Sequence, residues 1–148
     1  MQQLLLAVVL AVAAVVVAAV LRRRQRPAAP TQPRYRAPDQ LDRSDFCRPD
    51  APYLVAVFTS ATCQSCAAMA GKAAVLASAQ VAVDVLEVTE QPALHRKYAI
   101  DVVPLVVVAD ARGVVGASFI GPASATDLWA AVAEVREPGS SPEPDLGQ

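Results

Sequence analysis

Cysteine and histidine are scarce in this chain, and that scarcity excludes one common kind of small protein. Its 148 residues include three cysteines and one histidine. Small domains that are held together by disulfide bonds contain many more cysteines, so a disulfide-stapled scaffold is excluded. The length also fits one modest domain and excludes a multidomain enzyme.

Hydrophobic residues are abundant, and one segment accounts for their excess. They make up 54% of the chain, whereas about 45–50% is usual for soluble domains. Leu4 to Leu21 is a run of 18 residues that contains only Leu, Ala and Val. Once residues 1–21 are set aside, 61 of the remaining 127 residues are hydrophobic. The rest of the chain therefore has the composition of an ordinary globular protein.

The apolar run at 4–21 predicts one transmembrane helix. Its 18 residues reach about 27 Å as a helix, close to the hydrocarbon thickness of about 30 Å. A cleaved signal peptide is the main alternative, but it requires a basic residue ahead of a shorter apolar core. Residues 1–3 contain no Lys or Arg, and four arginines follow the run between positions 22 and 26.

The same arginines predict the orientation in the membrane. Positive residues that flank a span tend to stay in the cytoplasm. We therefore expect a single-pass protein of the cell membrane, with its short N-terminus outside and its domain in the cytoplasm. An extracytoplasmic domain is the alternative.

Charge divides the remaining chain into a basic tether and an acidic domain. Residues 22–43 contain seven arginines, two aspartates and four prolines, which predicts an extended tether that lies along an anionic membrane surface. Nucleic-acid binding is disfavoured, because no basic domain accompanies the arginines. Residues 44–148 hold 6 Lys and Arg against 12 Asp and Glu, a formal charge of −6. We expect the folded domain at 44–137 and a disordered tail at 138–148.

Strand and helix patterns alternate through the domain. Short, continuously apolar runs predict buried strands, an Ala-rich run predicts a helix, and residues 110–113 have the composition of a hairpin turn. The predicted order is βαβαββα, with strands at 53–58, 81–88, 105–109 and 114–120, helices at 63–78 and 92–98, and a last helix that Ser124 caps. In that helix Trp129 lies beside Leu128 and Val132 at helical spacing, and we expect it to pack in the core.

The sequence Cys63-Gln64-Ser65-Cys66 stands where a predicted buried strand gives way to a helix. A cysteine at a helix N-terminus faces unpaired backbone N–H groups and the positive end of the helix dipole. Both favour the thiolate, so we expect Cys63 to be the attacking sulfur. Cys66, in the first turn and more buried, is expected to resolve the mixed disulfide that Cys63 forms.

Other interpretations of this pair depend on the remaining candidate ligands. A zinc site needs two further ligands at close spacing. Only Cys47 and His95 are available and neither belongs to a second close pair, so we expect no metal; thiol–disulfide exchange needs no bound cofactor either. A structural pair without chemistry is a second alternative. Cys47 is interpreted either as an additional exchange thiol or as a small buried apolar residue. His95, beside Arg96 and Lys97, is expected to be exposed to solvent.

From Tyr53 to Val135 the chain resembles the thioredoxin family. The strand YLVAVF that enters CQSC carries this resemblance, together with the run PALHRKYAIDVVPLVVVADARGVVGASFIG. Tyr98, Ile100 and Pro104 match the family segment that leads to a cis-proline facing the CxxC, and Gly121 matches the glycine before the final helix. The resemblance implies a thioredoxin-like α/β fold with a mixed sheet.

The family match also implies a reduced N-terminus and a substrate groove. The segment 43–52 leaves room for only a remnant of the family's first strand and helix. The bond between Val103 and Pro104 is expected to be cis, and Pro104 to line the groove and keep metal from the dithiol. The expected groove residues are Thr62, Gln64, Ser65, Val103 and Pro104, with the Val103 backbone pairing with a partner strand.

Several positions depart from the family pattern. Thr62 replaces the usual Trp, and Gln64-Ser65 replaces Gly-Pro. Val57 falls where the family has a buried acid that assists proton transfer, and Val85 falls where it has a lysine. Proton transfer would then use water, Asp84 or Glu87. These changes favour slow or specialised exchange over general protein reduction.

The sequence therefore predicts a membrane-anchored thiol–disulfide oxidoreductase with a redox-active disulfide and a role in cell redox homeostasis. Cys63 and Cys66 are the predicted catalytic residues, and the expected partners are proteins that carry disulfides or thiols. A cytoplasmic domain favours a reductase, and an external one favours an oxidant. The alternative hypothesis is a thioredoxin-fold binding or adaptor module whose dithiol is vestigial or structural.

Overall fold

The computed structural model describes residues 35–139. The predicted transmembrane helix at 4–21, most of the tether and most of the tail lie outside these residues. Within residues 35–139, no helix is both long and apolar enough to cross a membrane.

Within residues 35–139, four strands and three α-helices follow one another in the predicted order βαβαββα. The elements are β1 Tyr53–Thr59, α1 Gln64–Ala74, β2 Val81–Glu87, α2 Pro92–Lys97, β3 Leu105–Ala109, β4 Val115–Ile120 and α3 Ala125–Arg136. The predicted cap of α3 is confirmed: the Ser124 side chain accepts a hydrogen bond from the Asp127 N–H, and the Asp127 carboxylate accepts one from the Ser124 N–H. This reciprocal pair satisfies two backbone donors at the start of the helix.

Several element boundaries differ from the prediction, most of them by one residue. Helix α1 ends at Ala74 rather than at residue 78, because Ser78 belongs to the turn into β2, where its hydroxyl accepts a hydrogen bond from the Val81 N–H at 3.1 Å. Strand β4 begins at Val115, and the residue before it, Val114, forms an isolated bridge with Gln40.

The strands form a mixed sheet in the order β2-β1-β3-β4. β1 is parallel to β2 and antiparallel to β3, and β3 is antiparallel to β4. The two central strands are buried over almost their whole length, which explains their continuous apolar runs. Because Phe58 lies opposite Leu105, the carboxyl end of β1 and the amino end of β3 meet at one edge of the sheet.

Successive residues of the central strands point to opposite faces, and each face has its own core. Val55 and Val57 belong to the cluster that contains Met69 of α1 and Leu128 of α3. Leu54 and Phe58 belong to the cluster that contains Tyr98, beside α2, and Phe46 of the segment ahead of β1. The sheet is therefore covered by α1 and α3 on one side and by α2 with residues 35–52 on the other.

Residues 35–52, called the N-terminal segment below, contain little regular structure. They form one 3-10 turn at Arg43–Asp45 and the bridge from Gln40 to Val114. The expected remnant of a first strand and helix corresponds to these two features. The buried Arg43 guanidinium donates hydrogen bonds to the carbonyls of Asp110, Arg48 and Ala51. These bonds tie the segment to the turn between β3 and β4.

Gly113 lies in that turn and lets the N-terminal segment approach. Its φ is +79°, a backbone conformation that favours glycine, and its carbonyl accepts a hydrogen bond from the Leu41 N–H at 2.8 Å. A Cβ at this position would lie 1.9 Å from the Leu41 carbonyl oxygen. Only glycine fits the contact without displacing the chain.

Two side-chain predictions are wrong. Trp129 is 54% exposed, because Leu128, Ala131 and Val132 already form the buried stripe of α3. His95 is 5% exposed rather than solvated. It lies on the inner side of α2, where its Nε2 is 2.9 Å from the Leu86 carbonyl oxygen and its ring packs edge-on against Phe58.

Candidate functional site

The two cysteines of CQSC lie at the edge of the sheet where β1 ends and β3 begins. β1 ends at Thr59, and a short loop leads to Cys63, which is the N-cap residue of α1. Pro104 immediately precedes β3, and the Val103–Pro104 peptide bond is cis, as predicted. The register of β1 and β3 therefore brings the dithiol and the cis-proline to the same edge.

A disulfide bond joins Cys63 to Cys66, with their Cα atoms 5.4 Å apart. Cys63 is half-buried, whereas Cys66 is only 2% exposed. Cys63 is therefore the more accessible of the two cysteines, and Cys66 is shielded within the first turn of α1. This is the difference in accessibility that a two-step exchange requires.

The N-terminus of α1 lacks a side-chain cap. Cys63 makes no capping hydrogen bond with its side chain, so backbone N–H groups of the first turn remain available to an acceptor. The Ser65 hydroxyl lies 3.6 Å from the Cys63 sulfur. A thiolate formed at Cys63 would be the natural acceptor for these donors.

Residues 60–66, called the dithiol segment below, are fixed by a carboxylate on β2. The Ala61 N–H donates to Oε1 of Glu87 at 2.9 Å. The other oxygen of Glu87 accepts hydrogen bonds from the N–H groups of Thr89 and Glu90 and from the Thr89 hydroxyl. Glu87 thus joins the loop before Cys63 to the loop before α2, a role for which the sequence holds no signal.

Neither candidate proton carrier of the sequence faces the dithiol as a free acid. The hydrogen bonds to Glu87, chiefly from Thr89 and Ala61, lower its pKa to about 2, so it stays ionised near neutral pH. The Asp84 carboxylate accepts a hydrogen bond from the Cys47 N–H at 2.8 Å. Because Val83 packs towards α1, Asp84 points to the other face of the sheet.

The positions of the missing acid and lysine are adjacent in the structure. Val57 on β1 lies opposite Val85 on β2 in the parallel register. Val57 is fully buried in the cluster beneath α1, and Val85 is 43% exposed. Apolar side chains therefore occupy both positions, and the buried Arg43 and His95 of the described domain lie on the other side of the sheet.

The predicted groove residues surround the same edge. Thr62 and Gln64 are exposed, Ser65 and Val103 are half-buried, and Pro104 is buried. The Pro104 carbonyl accepts a hydrogen bond from the Gly121 N–H at 2.8 Å, which ties the cis-proline loop to the end of β4. None of the five side chains is charged.

Cys47 is exposed and lies apart from the pair. Its sulfur donates to the Val83 carbonyl at 3.4 Å, in the middle of β2. Partial burial, followed by the negative charge of Asp84, raises the pKa of Cys47. Within residues 35–139, no group of three or more Cys, His, Asp or Glu side chains is arranged to hold a metal ion.

Comparisons with known proteins identify the fold. No protein-family model matches the chain, and no curated protein matches its sequence. Among solved structures, it is similar to a mutant thioredoxin from Halobacterium salinarum, with a TM-score of 0.53 and 23% identity, over 60% of this chain and 78% of that one. It is also similar to a malarial protein, with a TM-score of 0.51 and 16% identity, over 56% of this chain and 96% of that one.

A third similar structure is mitochondrial thioredoxin 3 from Saccharomyces cerevisiae, with a TM-score of 0.49 and 23% identity, over 57% of this chain and 79% of that one. The likeness to the Halobacterium thioredoxin shows that residues 35–139 include a thioredoxin-like fold with a mixed sheet. The predicted fold class is confirmed for this part of the chain.

Proposed function

We propose that the chain is a membrane-anchored thiol–disulfide oxidoreductase that exchanges disulfides with protein partners through Cys63 and Cys66. The observation that carries the proposal is the disulfide between an accessible sulfur and a buried one at the N-terminus of α1. That arrangement gives one nucleophile and one resolving group within reach of each other.

The reduction of a partner proceeds in two steps. The Cys63 thiolate attacks one sulfur of the partner disulfide, so that a mixed disulfide forms and the other partner sulfur leaves as a thiolate. The Cys66 sulfur, as its thiolate, then attacks Cys63 Sγ, which forms the Cys63–Cys66 bond and releases the second partner thiolate. Two electrons pass from the pair to the partner, water supplies protons to the released thiolates, and a separate dithiol donor regenerates the pair.

The uncharged groove supports an extended partner segment. Thr62 and Gln64 are exposed on one side of the cysteines, and the half-buried Val103 precedes Pro104 on the other. The Val103 backbone offers hydrogen bonds to one strand of a partner beside its disulfide.

The burial of Cys66 favours slow exchange. Cys66 is only 2% exposed, and burial disfavours the charged form of a thiol. Deprotonation of Cys66 then depends on water that reaches the dithiol segment. The proposed activity is therefore a specialised exchange rather than rapid general reduction.

Exchange kinetics test the function. The full chain, reduced and freed of reductant, is mixed with a peptide that carries one disulfide, and the released peptide thiol is measured. We expect Cys63→Ser to abolish the release, Cys66→Ser to accumulate the mixed disulfide, and Cys47→Ser to behave as the parent chain. Release that is no faster from the parent than from Cys63→Ser overturns the proposal.

The anchor and the orientation form a separate part of the proposal. The run 4–21 would span the membrane with residues 22–43 and the domain on the cytoplasmic side, on the strength of the flanking arginines. In a Cys47→Ser background, a membrane-impermeant thiol reagent applied to intact cells should leave Cys63 unlabelled until the cells are opened. Labelling of Cys63 in intact cells would show that the domain lies outside the cytoplasm. Recovery of the chain in the soluble fraction would show that residues 4–21 do not anchor it.

A binding or adaptor module is the second candidate, because Val57 and Val85 leave the dithiol without an ionisable group beneath it. In that case Cys63→Ser should bind the same partners as the parent chain with unchanged affinity. A mixed disulfide that depends on Cys63 and resolves through Cys66 favours the oxidoreductase.

A further inference from the structure

The two outer strands of the sheet differ in how their free edges are protected. β2 carries Asp84 and Glu87, and the Cys47 sulfur already donates a hydrogen bond to one of its carbonyls. β4 carries no charged residue, and the whole stretch at 113–126 is uncharged. Edge strands of soluble proteins usually bear charges or prolines that prevent pairing with another chain. The edge of β4 therefore lacks the protection that the edge of β2 has.

The register with β3 shows which backbone groups of β4 face outward. The Gly121 N–H donates to the Pro104 carbonyl. Hydrogen-bonded and non-hydrogen-bonded positions alternate along an antiparallel ladder, so Phe119 also bonds to the neighbouring strand β3. Ser118 and Ile120 direct their N–H and C=O groups away from it, and within the described part of the chain these groups have no hydrogen-bond partner. Both residues are therefore available to another strand.

The side chains at this edge are apolar and incompletely covered. Ile120 is 45% exposed, and Phe119 is only half-buried against the cluster beneath α1. The N-terminal segment reaches the start of β4, where the Val115 N–H donates to the Asp39 carbonyl, and a cleft opens between the two beyond this bond. The edge between residues 118 and 120 is therefore open along the backbone and on its apolar side chains.

We propose that this edge binds a second copy of the chain, in an antiparallel pair of β4 strands whose two-fold axis passes beside Phe119. Ser118 of each copy then lies opposite Ile120 of the other, and the two residues exchange N–H···O=C hydrogen bonds. The two Phe119 side chains meet in the non-hydrogen-bonded position between them, where an aromatic pair stabilises the pairing. The two four-stranded sheets then form one continuous sheet.

Charge favours a second copy at β4 over a second copy elsewhere on the described domain. Residues 44–148 have a formal charge of −6, so two copies repel each other where charged faces meet. Pairing through β2 would bring Asp84 and Glu87 of both copies into one interface. Pairing through β4 brings no charged side chain of one strand against the other. Because that pairing is antiparallel, the two dithiol edges point in opposite directions.

The oligomeric state of the full-length chain in detergent tests the proposal. Ser118→Lys places a charge on the edge, and Thr126→Lys places the same charge on an exposed residue at the start of α3. We expect light scattering to show dimers for the parent and for Thr126→Lys. Ser118→Lys should raise the dissociation constant of the dimer at least about tenfold, without unfolding the domain, because Ser118 is exposed.

Cross-linking locates the interface. In full-length chains whose three native cysteines are replaced by serine, Phe119→Cys is compared with Val75→Cys, a residue that is 62% exposed beside α1. Opposite residues of a non-hydrogen-bonded pair have Cα atoms about 4.5 Å apart, a separation that a disulfide can span. On mild oxidation, Phe119→Cys should link two copies and Val75→Cys should not. Adding Ser118→Lys should prevent the link.

A dimer that Ser118→Lys leaves intact, or equal cross-linking from the two positions, overturns the proposal. A monomeric parent also overturns it, and cross-linking of Phe119→Cys to a different protein in membranes would then show that a partner protein occupies the edge. The cross-linked chains contain no Cys63–Cys66 pair, so the result does not depend on exchange activity.

Discussion

The dithiol segment and the N-terminal segment each present a cysteine, in opposite surroundings. Cys63 stands at the start of α1, near unpaired N–H groups and 3.6 Å from the Ser65 hydroxyl. Cys47 faces an acceptor, the Val83 carbonyl, and lies beside the Asp84 carboxylate. Donors favour a thiolate and acceptors favour a thiol, so exposure alone does not make a cysteine reactive.

The largest effect should come from detaching the N-terminal segment without touching the dithiol. Gly113→Ala places a Cβ 1.9 Å from the Leu41 carbonyl oxygen at a φ of +79°. We expect a loss of about 3–4 kcal/mol in the free energy of unfolding, measured with denaturant. Gly121→Ala is the matched control, because its φ is +87° but no atom lies within 4 Å.

That control should cost about 1–2 kcal/mol, the effect of a left-handed conformation alone. Equal losses in the two variants would show that the contact between Gly113 and Leu41 does not hold the segment. We also expect the folded fraction of Gly113→Ala to keep the parent's Cys63 acidity, since the two segments lie at different parts of the sheet.

Alkylation rates compare the two thiols directly. In the reduced chain at neutral pH, Cys63 should react about ten times faster than Cys47. Backbone donors at the start of α1 favour the Cys63 thiolate, whereas the pKa of Cys47 is raised. Asp84→Asn removes the charge that helps to raise the pKa of Cys47. It should speed the alkylation of Cys47 a few-fold and leave Cys63 unchanged.

Asp101→Asn serves as the control, because it removes an exposed carboxylate elsewhere. If both substitutions change the reactivity of Cys47 alike, general charge rather than the local contact sets its acidity.

The anchor of the dithiol segment should make stability depend on pH. The pKa of Glu87 is lowered from 4.5 to about 2 in the folded chain. Its hydrogen bonds therefore stabilise the fold above about pH 4.5, and this contribution is lost as the pH falls towards 2. In Glu87→Gln, the melting temperature should be lower at pH 7 and should fall less steeply on acidification.

Glu90→Gln, a neighbouring exposed carboxylate, should retain the parent's pH profile. If the melting temperature of Glu87→Gln depends on pH as that of the parent does, the Glu87 carboxylate does not hold the dithiol segment.

The smallest effect concerns two non-glycine residues with positive φ, one of them in the N-terminal segment. Ala99 has a φ of 50° after α2, and Arg48 has a φ of 49° in the N-terminal segment. Ala99→Gly should stabilise the domain by about 0.5–1 kcal/mol, because glycine adopts this conformation without strain.

Arg48→Gly should destabilise the domain despite the same relief, since the Arg48 guanidinium donates to the carbonyls of Ser78 and Ala79. Thermal unfolding of both variants separates the backbone effect from the side-chain contacts. A gain in stability for Arg48→Gly would mean that those hydrogen bonds contribute nothing.

Local sequence patterns predicted the order of elements and the placement of CQSC. Buried central strands require continuous apolar runs, and the cap at Ser124 uses chemistry that is confined to four residues. The cis bond before Pro104 followed from a family resemblance rather than from local physics. The strands and the cap depend on residues that are close together in the sequence.

The failures concern side chains whose surroundings come from distant elements. His95 looked solvated beside Arg96 and Lys97, yet the Leu86 carbonyl and Phe58 enclose it. Its spacing does favour burial, because His95 lies three residues before Tyr98 on one helical face. Trp129 is rotated by about 100° around the helix axis from Leu128. This rotation places its side chain outside the buried stripe that Leu128 and Val132 form. The contact of Glu87 with Ala61 has no local signal at all.

Arg43 has a consequence for how the domain responds to a protease. Its guanidinium joins three backbone carbonyls, including that of Asp110 in the β3–β4 turn. A cut ahead of Leu41 leaves these three hydrogen bonds in place, so we expect the released fragment to remain folded. A cut after Arg43 removes the cation and frees three buried or half-buried carbonyls, and the fragment becomes a substrate for further digestion. The smallest protease-resistant unit of this protein therefore begins before its first strand.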